Sequence, residues 1–402
     1  MQYWDTHTIN MNVIFWISLF IVFYTFFGYG ILLYVIVRLK RIFKPTEKAM
    51  YTFDELPSCT LIVAAYNEVA DIREKIQNTL LLNYPEGRLD LIFVTDGSTD
   101  GTPDVVAEFP KIRLLHAPER SGKITAVHRA IARVNTELIV FTDANTFLNP
   151  DALALLCRHY ADAKVGAVAG EKRVAIEDRT DATAGEGFYW KYESKLKAWD
   201  SELYSVVGAA GELFSIRKAL YEPVALNSVL DDFMISMRIA EKGYVIVYEP
   251  DAYALESSSE NTTEELKRKI RIAAGGIQSV IWLKALLNPF KFPLLSFQYI
   301  SHRVLRWTVT PFLMIAALLL NLCQVWKHAG LIYLIIFALQ CLFYVSAYAG
   351  KIFEDRKIRL KLFFVPYYFC MMNYAVLAGL YRFVFGEQSV MWEKASRKQK
   401  AQ

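Results

Sequence analysis

Apolar residues follow three different rhythms along the chain. Residues 11–37 are almost uniformly apolar and uncharged, longer than the roughly 20 residues that cross a bilayer. A cleaved leader has a shorter apolar core and a small-residue cleavage site, so a membrane helix is expected here. From residue 58 short apolar runs alternate with amphipathic stretches. Strands are predicted over 60–65, 89–95, 112–116 and 137–142, with helices near 70–82, near 103–109 and from Lys123. Ile124, Val127, Ile131 and Val134 share one face of that last helix. Strands alternating with helices predict an α/β domain whose parallel sheet is covered on both faces. Residues 151–260 are more mixed, with helices opening at Phe188 and spanning 233–242.

A basic helix is predicted over 262–276, ending at Ala273-Ala274-Gly275-Gly276. Residues 277–287 and 297–307 have the mixed apolar and cationic texture of interfacial helices. Residues 308–326, 329–350 and 362–385 are span candidates. The expected organisation is a membrane helix and basic linker (1–45), a cytoplasmic catalytic domain (46–276), and interfacial helices, spans and a basic tail (277–402).

Charge placement orients this plan. Asp5 is the only acidic or basic side chain before the first span, whereas Arg38, Lys40, Arg41 and Lys44 follow it. By the positive-inside rule the chain from residue 38 is cytoplasmic. The loop 351–361, with five basic and two acidic residues, should be cytoplasmic too. Counting spans then puts the tail 391–402 outside, against its Lys394, Arg397, Lys398 and Lys400. The 54% hydrophobic share of the 402 residues is high for a soluble domain, and the excess sits at the two ends. Net charge is only +4, and no nucleic-acid partner is expected. The five cysteines form no Cys-x-x-Cys, and three lie in apolar spans, which argues against zinc and disulfides.

The chemistry concentrates in residues 89–146. Two short apolar runs end in aspartates, at Asp96-Gly97-Ser98-Thr99-Asp100 and Asp143-Ala144-Asn145. Ligands of open parallel sheets bind beyond the carboxyl ends of the strands, so Asp96 and Asp143 should share one crevice. There they can serve a base or ribose and a hard cation that bridges phosphates. The same residues also satisfy plain turn chemistry. Asp231-Asp232 supplies further carboxylates, as a cap plus a general base or simply as a helix cap. Arg120-Ser121-Gly122-Lys123 reads as an anion site at a helix start or as an ordinary cap. Trp190 lies in an aromatic stretch that suits a sugar face or plain packing, and Gly208 and Gly211 allow close backbone approach. Arg268 and Arg271 can hold phosphate or anionic lipid. Neither a Gly-x-Gly-x-x-Gly nor a phosphate-loop signature follows the first strand.

Taken in order, Ala65-Tyr66-Asn67-Glu68, Asp96–Asp100, Gly122-Lys123, Thr142–Asn145, Gly208-x-x-Gly211 and Asp231-Asp232 resemble the membrane-embedded family 2 glycosyltransferases. That group includes cellulose, chitin, hyaluronan and poly-N-acetylglucosamine synthases. The resemblance implies a GT-A fold and inverting transfer from a UDP-sugar with Mg²⁺ or Mn²⁺. It implies that Tyr66, Glu68, Asp96 and Lys123 hold the nucleotide, that Asp143 and Asn145 hold the metal, and that Asp232 is the base. Arg268 and Arg271 would join the donor side, and Trp190, Gly208, Gly211 and Asp231 the acceptor side. Two departures stand out. Asn145 replaces the second aspartate of the metal motif, and Arg268 and Ile272 replace the Gln and Trp of the processive Gln-x-x-Arg-Trp motif. The expected acceptor is a glycan or a lipid-linked sugar at the cytoplasmic face of a bacterial inner membrane, among membrane lipid, with room for a homo-oligomer or an export partner. Competing expectations are a single-sugar transferase acting on a lipid carrier, a nucleotide-binding export subunit without transferase activity, and a nucleotidyltransferase.

Overall fold

The computed structural model describes residues 6–43, 49–175, 183–257, 262–356, 358 and 360–386. Asp5, Lys44 and the basic tail 391–402 lie outside them. Among the described residues eight strands join one sheet. They are β1 (Cys59–Ala65), β2 (Leu89–Asp96), β3 (Arg113–Ala117), β4 (Leu138–Asp143), β5 (Thr146–Leu148), β6 (Val165–Ala175), β7 (Leu213–Arg217) and β8 (Val245–Ser257). The strand order is β3-β2-β1-β4-β7-β6-β8-β5. This is a mixed α/β, GT-A-like sheet with long apolar helices toward both ends of the chain.

β1 is buried along its whole length, which is why its sequence is a continuous apolar run. One face of the sheet packs Ile62, Ala64 and Phe141 against the helix Lys123–Ile131. The other packs Leu61, Val63 and Val140 against Ile72 and Ile76 of the helix Val69–Leu80. Strand order reverses at β1, with β2 on one side and β4 on the other, both parallel to it. Ala64 is level with Val94 of β2 and Asp143 of β4. Asp96 and Asp143 therefore end at the same edge, two strand spacings apart, or about 10 Å.

The half of the sheet beyond β4 is antiparallel where it joins. β7 runs against β4, with Leu213 level with Thr142. The segment entering β7, Gly208–Glu212, is thus delivered to the same edge as Asp143. β6 depends on glycines: a Cβ at Gly166 would lie 2.4 Å from the Ile239 side chain, and one at Gly170 2.8 Å from the Leu213 side chain.

The helix predicted to stop at 276 runs on as Thr262–Trp282, and a short 3₁₀ turn, Lys284–Leu287, follows it. Gly275 and Gly276 serve contact rather than termination. A Cβ at Gly275 would meet Leu230 and Val229 at 2.8–2.9 Å, and one at Gly276 would meet the Trp307 ring at 2.5 Å. On this helix, Ala273 and Ala274 touch Gly379 of the helix Lys361–Val384.

Among the described residues three helices are long and apolar enough to cross a membrane: Asn10–Phe43, Leu331–Asp355 and Lys361–Val384. The pair Pro293–Trp307 and Thr310–Trp326, bent by 61°, makes a fourth candidate if taken as one span. Two cations near the end of the first of these helices are tied to protein: Lys40 Nζ donates to the carbonyls of Glu202 (2.6 Å) and Leu203 (3.0 Å), and Arg41 pairs with Glu202 at 2.6 Å. These close the end of the helix Thr183–Leu203. A buried joint lies further along that helix. His302 places Nδ1 2.5 Å from Asp200 Oδ2 and Nε2 3.0 Å from Glu193 Oε1. Arg303 and Arg306 each reach Glu193 at 3.0 Å, and the Tyr29 hydroxyl donates to Asp200.

Candidate functional site

The site is built from the turns that leave β1, β2 and β4. Asn67 sits at φ 53°, a left-handed conformation that Asn adopts more readily than most residues. Its N–H donates to Ser98 Oγ (3.2 Å) and its Oδ1 accepts the Thr99 N–H (2.8 Å). Asp100 accepts the Val69 N–H at 3.0 Å. The Asp96–Asp100 turn is thereby bound to the turn after β1. Glu68 is 1% exposed, donates its N–H to Thr102 Oγ1 at 2.9 Å, and lies beneath this turn.

Asp96 organises the next loop. Its Oδ2 accepts the N–H groups of Ser121 (2.9 Å) and Gly122 (2.7 Å). Gly97, at φ 66°, is needed because a Cβ there would come within 2.8 Å of the Arg120 backbone. The Arg120 guanidinium lies 3.9 Å over the Tyr66 ring. A first slot is lined by Ala64, Ala65, Tyr66, Asp96, Arg120 and Lys123, among others. The second oxygen of Asp96, Oδ1, is buried with no hydrogen bond, 3.9 Å from an Arg129 nitrogen. An aromatic ring, a guanidinium plane and an unpaired acceptor suit a planar base that carries a ring N–H.

Lys123 belongs to both slots. Its Nζ lies 2.7 Å from Asp143 Oδ1. Burial opposes its charge, but Asp143, Asp231 and Asp232 outweigh burial and raise its pKa. The second slot is lined by Lys123, Asp143, Gly211, Asp231 and Asp232 over an apolar floor that includes Val127 and Phe141. Burial and the Asp231 charge push Asp232 up to about 7, against Lys123 and the Phe233 N–H that it accepts at 2.8 Å. A carboxyl poised near neutrality in a cleft is what general-base chemistry requires. Gly208 and Gly211 let this wall close. A Cβ at Gly208, φ 83°, would strike the Phe233 ring at 2.1 Å, and one at Gly211 would lie 3.1 Å from Asp232 Oδ2.

Asp143 and Asn145 flank the turn between β4 and β5. Asn145 Oδ1 is buried without a hydrogen bond. A carboxylate and an unsatisfied amide oxygen are hard donors that fit Mg²⁺ or Mn²⁺, with diphosphate oxygens able to fill the remaining positions. Beneath the turn lies Lys75, which sequence reading missed. It is 0% exposed and donates to the Thr146 carbonyl (2.6 Å) and Thr142 Oγ1 (3.3 Å). Burial, opposed by Asp143, lowers it to about 7. It occupies a helical position that otherwise reads as solvated, so no sequence signal marks it.

Arg268 and Trp190 lie in a separate charged cluster. Arg268 pairs with Glu265 at 3.2 Å and lies 3.9 Å from Glu256. Lys172 pairs with Glu256 and, at 2.6 Å, with Glu212; Lys269 pairs with Glu265 at 3.2 Å. The Trp190 ring centroid lies 5.8 Å from Lys172 Nζ and 5.2 Å from Lys269 Nζ. Glu212 connects this cluster to Gly211 and the second slot. Arg271 is half-buried and makes no ion pair among the described residues.

Known proteins carry the same plan. The family description "Glycosyl transferase family 2" matches residues 60–224. The chain is 29% identical over 255 residues to the probable glycosyltransferase YdaM of Bacillus subtilis, covering 59% of each protein. It is 24% identical over 237 residues to a poly-beta-1,6-N-acetyl-D-glucosamine synthase of Staphylococcus aureus, covering 57% of each. The chain thus spans less than two thirds of these relatives' lengths. Among solved structures, the mannosyltransferase PcManGT of Pyrobaculum calidifontis, in complex with GDP-Man and Mn2+, superposes with a TM-score of 0.69 at 23% identity, covering 93% of this chain and 100% of that one. That likeness shows the fold, and the segment from β1 to the loop after β7 carries the sequence pattern of glycosyltransferase family 2, with distant similarity to the poly-beta-1,6-N-acetyl-D-glucosamine synthases.

Proposed function

We propose that the chain transfers a sugar, with inversion, from a UDP-sugar to a glycan or lipid-linked acceptor at the cytoplasmic face of a cell membrane. The observation that carries this reading is Asp232, a half-buried carboxyl raised to about 7 in the slot that also holds Lys123 and Asp143. The first slot takes the base, with Asp96 Oδ1 accepting a ring N–H and Tyr66 and Arg120 bounding its plane. Lys123 turns from Asp143 toward the diphosphate when the donor enters. Asp143 and Asn145 would hold a divalent cation, which supplies charge stabilisation to the leaving diphosphate. Asp232 accepts the proton of the acceptor hydroxyl as that oxygen attacks the anomeric carbon. A single displacement gives inversion without a covalent enzyme intermediate.

The Arg268 position favours addition of one sugar over long-chain synthesis. Its guanidinium is committed to Glu265 and Glu256 rather than presented to a passing glycan. The test is nucleotide release by detergent-purified protein, with membrane lipid extract as acceptor, Mg²⁺ or Mn²⁺, and a panel of UDP-sugars. GDP-mannose joins the panel because the structural neighbour binds GDP-Man. Release with one UDP-sugar and a product longer by one residue is expected. A product ladder would favour polymerisation. Tight nucleotide binding without turnover would favour the binding-only reading.

A further inference from the structure

Near Asp231, two buried polar atoms lack a hydrogen-bond partner among the described residues. His128 Nε2 and Tyr221 Oη are both buried and make no hydrogen bond among the described residues. They arrive from different elements: His128 from the helix that begins at Lys123, Tyr221 from the segment after the short helix Lys218–Leu220. Their rings meet edge to face with centroids 6.1 Å apart. Both feel the charge of Asp231, which also acts on Lys123 and lines the second slot. Buried polar atoms in a folded protein are nearly always paired, so convergent unpaired ones call for a ligand or an ordered water.

The chemistry of the three groups narrows that ligand. Burial lowers the His128 pKa against the pull of Asp231, and the neutral ring offers one donor and one acceptor. The phenol both donates and accepts, and the carboxylate only accepts. Phosphate would be repelled by Asp231, and an apolar group would leave all three unpaired. A sugar ring, whose hydroxyls each donate and accept, satisfies them.

We propose that His128, Tyr221 and Asp231 form the subsite that reads the hydroxyls of the transferred sugar and so set which sugar is accepted. This rests on the second slot being the donor-sugar site, and it moves Asp231 from the acceptor side to the donor side. Loss of one such hydrogen bond weakens binding about tenfold, whereas the nucleoside diphosphate, lacking the sugar, does not touch the subsite.

The experiment measures affinities of full-length, detergent-purified protein for UDP, UDP-N-acetylglucosamine, UDP-glucose, GDP and GDP-mannose by calorimetry, in wild type, His128→Ala and Tyr221→Phe. Tyr221→Phe removes one oxygen and keeps the ring, so its melting temperature should stay near wild type. Nucleoside diphosphate affinity should be unchanged in both variants. Affinity for the preferred nucleotide sugar should fall about tenfold, and the preference between sugars should narrow. Equal changes for diphosphate and nucleotide sugar, or no change in either, would overturn the subsite while leaving the transferase reading intact. A wild-type protein that binds none of the five compounds would overturn both.

Discussion

The catalytic edge and the joint beside the first membrane helix are both buried and polar, yet they treat charge in opposite ways. At the joint each carboxylate is met by cations or donors: Glu193 by Arg303, Arg306 and His302, and Asp200 by His302 and Tyr29. Burial works against the Glu193 charge, but these cations hold its carboxyl well below the usual range. At the edge, Asp96 Oδ1, Asn145 Oδ1, His128 Nε2 and Tyr221 Oη are left without hydrogen bonds, and Asp232 is pushed upward instead of down. Paired groups hold the catalytic sheet to the membrane helices. In the proposed mechanism, substrate supplies the partners that these four atoms lack.

The largest effect should come from Asp232. Asp232→Asn should cut transfer by about 10²–10⁴-fold while donor binding persists. In wild type, transfer should rise with pH through about 7 as Asp232 ionises. Stability moves the other way. The native state holds this proton well above the ordinary carboxylate range, so ionisation costs stability as pH rises through about 7. Asp232→Asn should therefore melt higher than wild type above neutrality and show little gain in mild acid.

The joint should respond in stability alone. Glu193→Gln leaves the Arg303 and Arg306 guanidinium groups facing a neutral amide, and breaking such a buried pair costs about 3–5 kcal/mol. A lower unfolding midpoint with unchanged turnover per folded molecule is expected. The Glu193 contribution is full above the ordinary glutamate value of about 4.3 and is lost as pH falls below it.

Asp96→Asn tests a group that is both paired and unpaired. It weakens two charge-assisted bonds to the Ser121 and Gly122 N–H groups and the acceptor offered to the base. Donor affinity should fall about 30–100-fold by calorimetry, from hydrogen bonds to a charged group worth about 1.5–3 kcal/mol each. The smallest change is Asn145→Asp, which restores a second carboxylate to the metal turn. Half-saturation by Mn²⁺ in the transfer assay should fall about tenfold, and an unchanged Mn²⁺ dependence would remove Asn145 from the metal site.

The β1–β4 half of the sheet was legible in the sequence. Strands buried on both faces write continuous apolar runs, so β1, β2 and β4 stood out, with the aspartates that end β2 and β4. The other half was hidden by packing that sequence does not encode locally. β6 is rich in Gly and Ala because neighbours crowd it, and Gly275-Gly276 read as a helix end although close contacts with Val229, Leu230 and Trp307 demand the glycines within a continuing helix. Lys75, His128 and Tyr221 gave no signal, since their meaning lies in what surrounds them. Arg268 read as a phosphate or anionic-lipid ligand, and its pairing with Glu265 and its approach to Glu256 were not marked in the sequence.

The measurement that bears most directly on the account is the comparison of wild type and Asp232→Asn in one preparation, for nucleotide-sugar affinity by calorimetry and for transfer by product formation across pH 5–9 (a range of about two units either side of the Asp232 value of about 7). The account predicts equal affinity, a wild-type rate that climbs through about 7, and a variant whose residual rate is small and flat with pH. Transfer by the variant at the wild-type rate, or loss of donor affinity and transfer together, would contradict the assignment of Asp232 as the base.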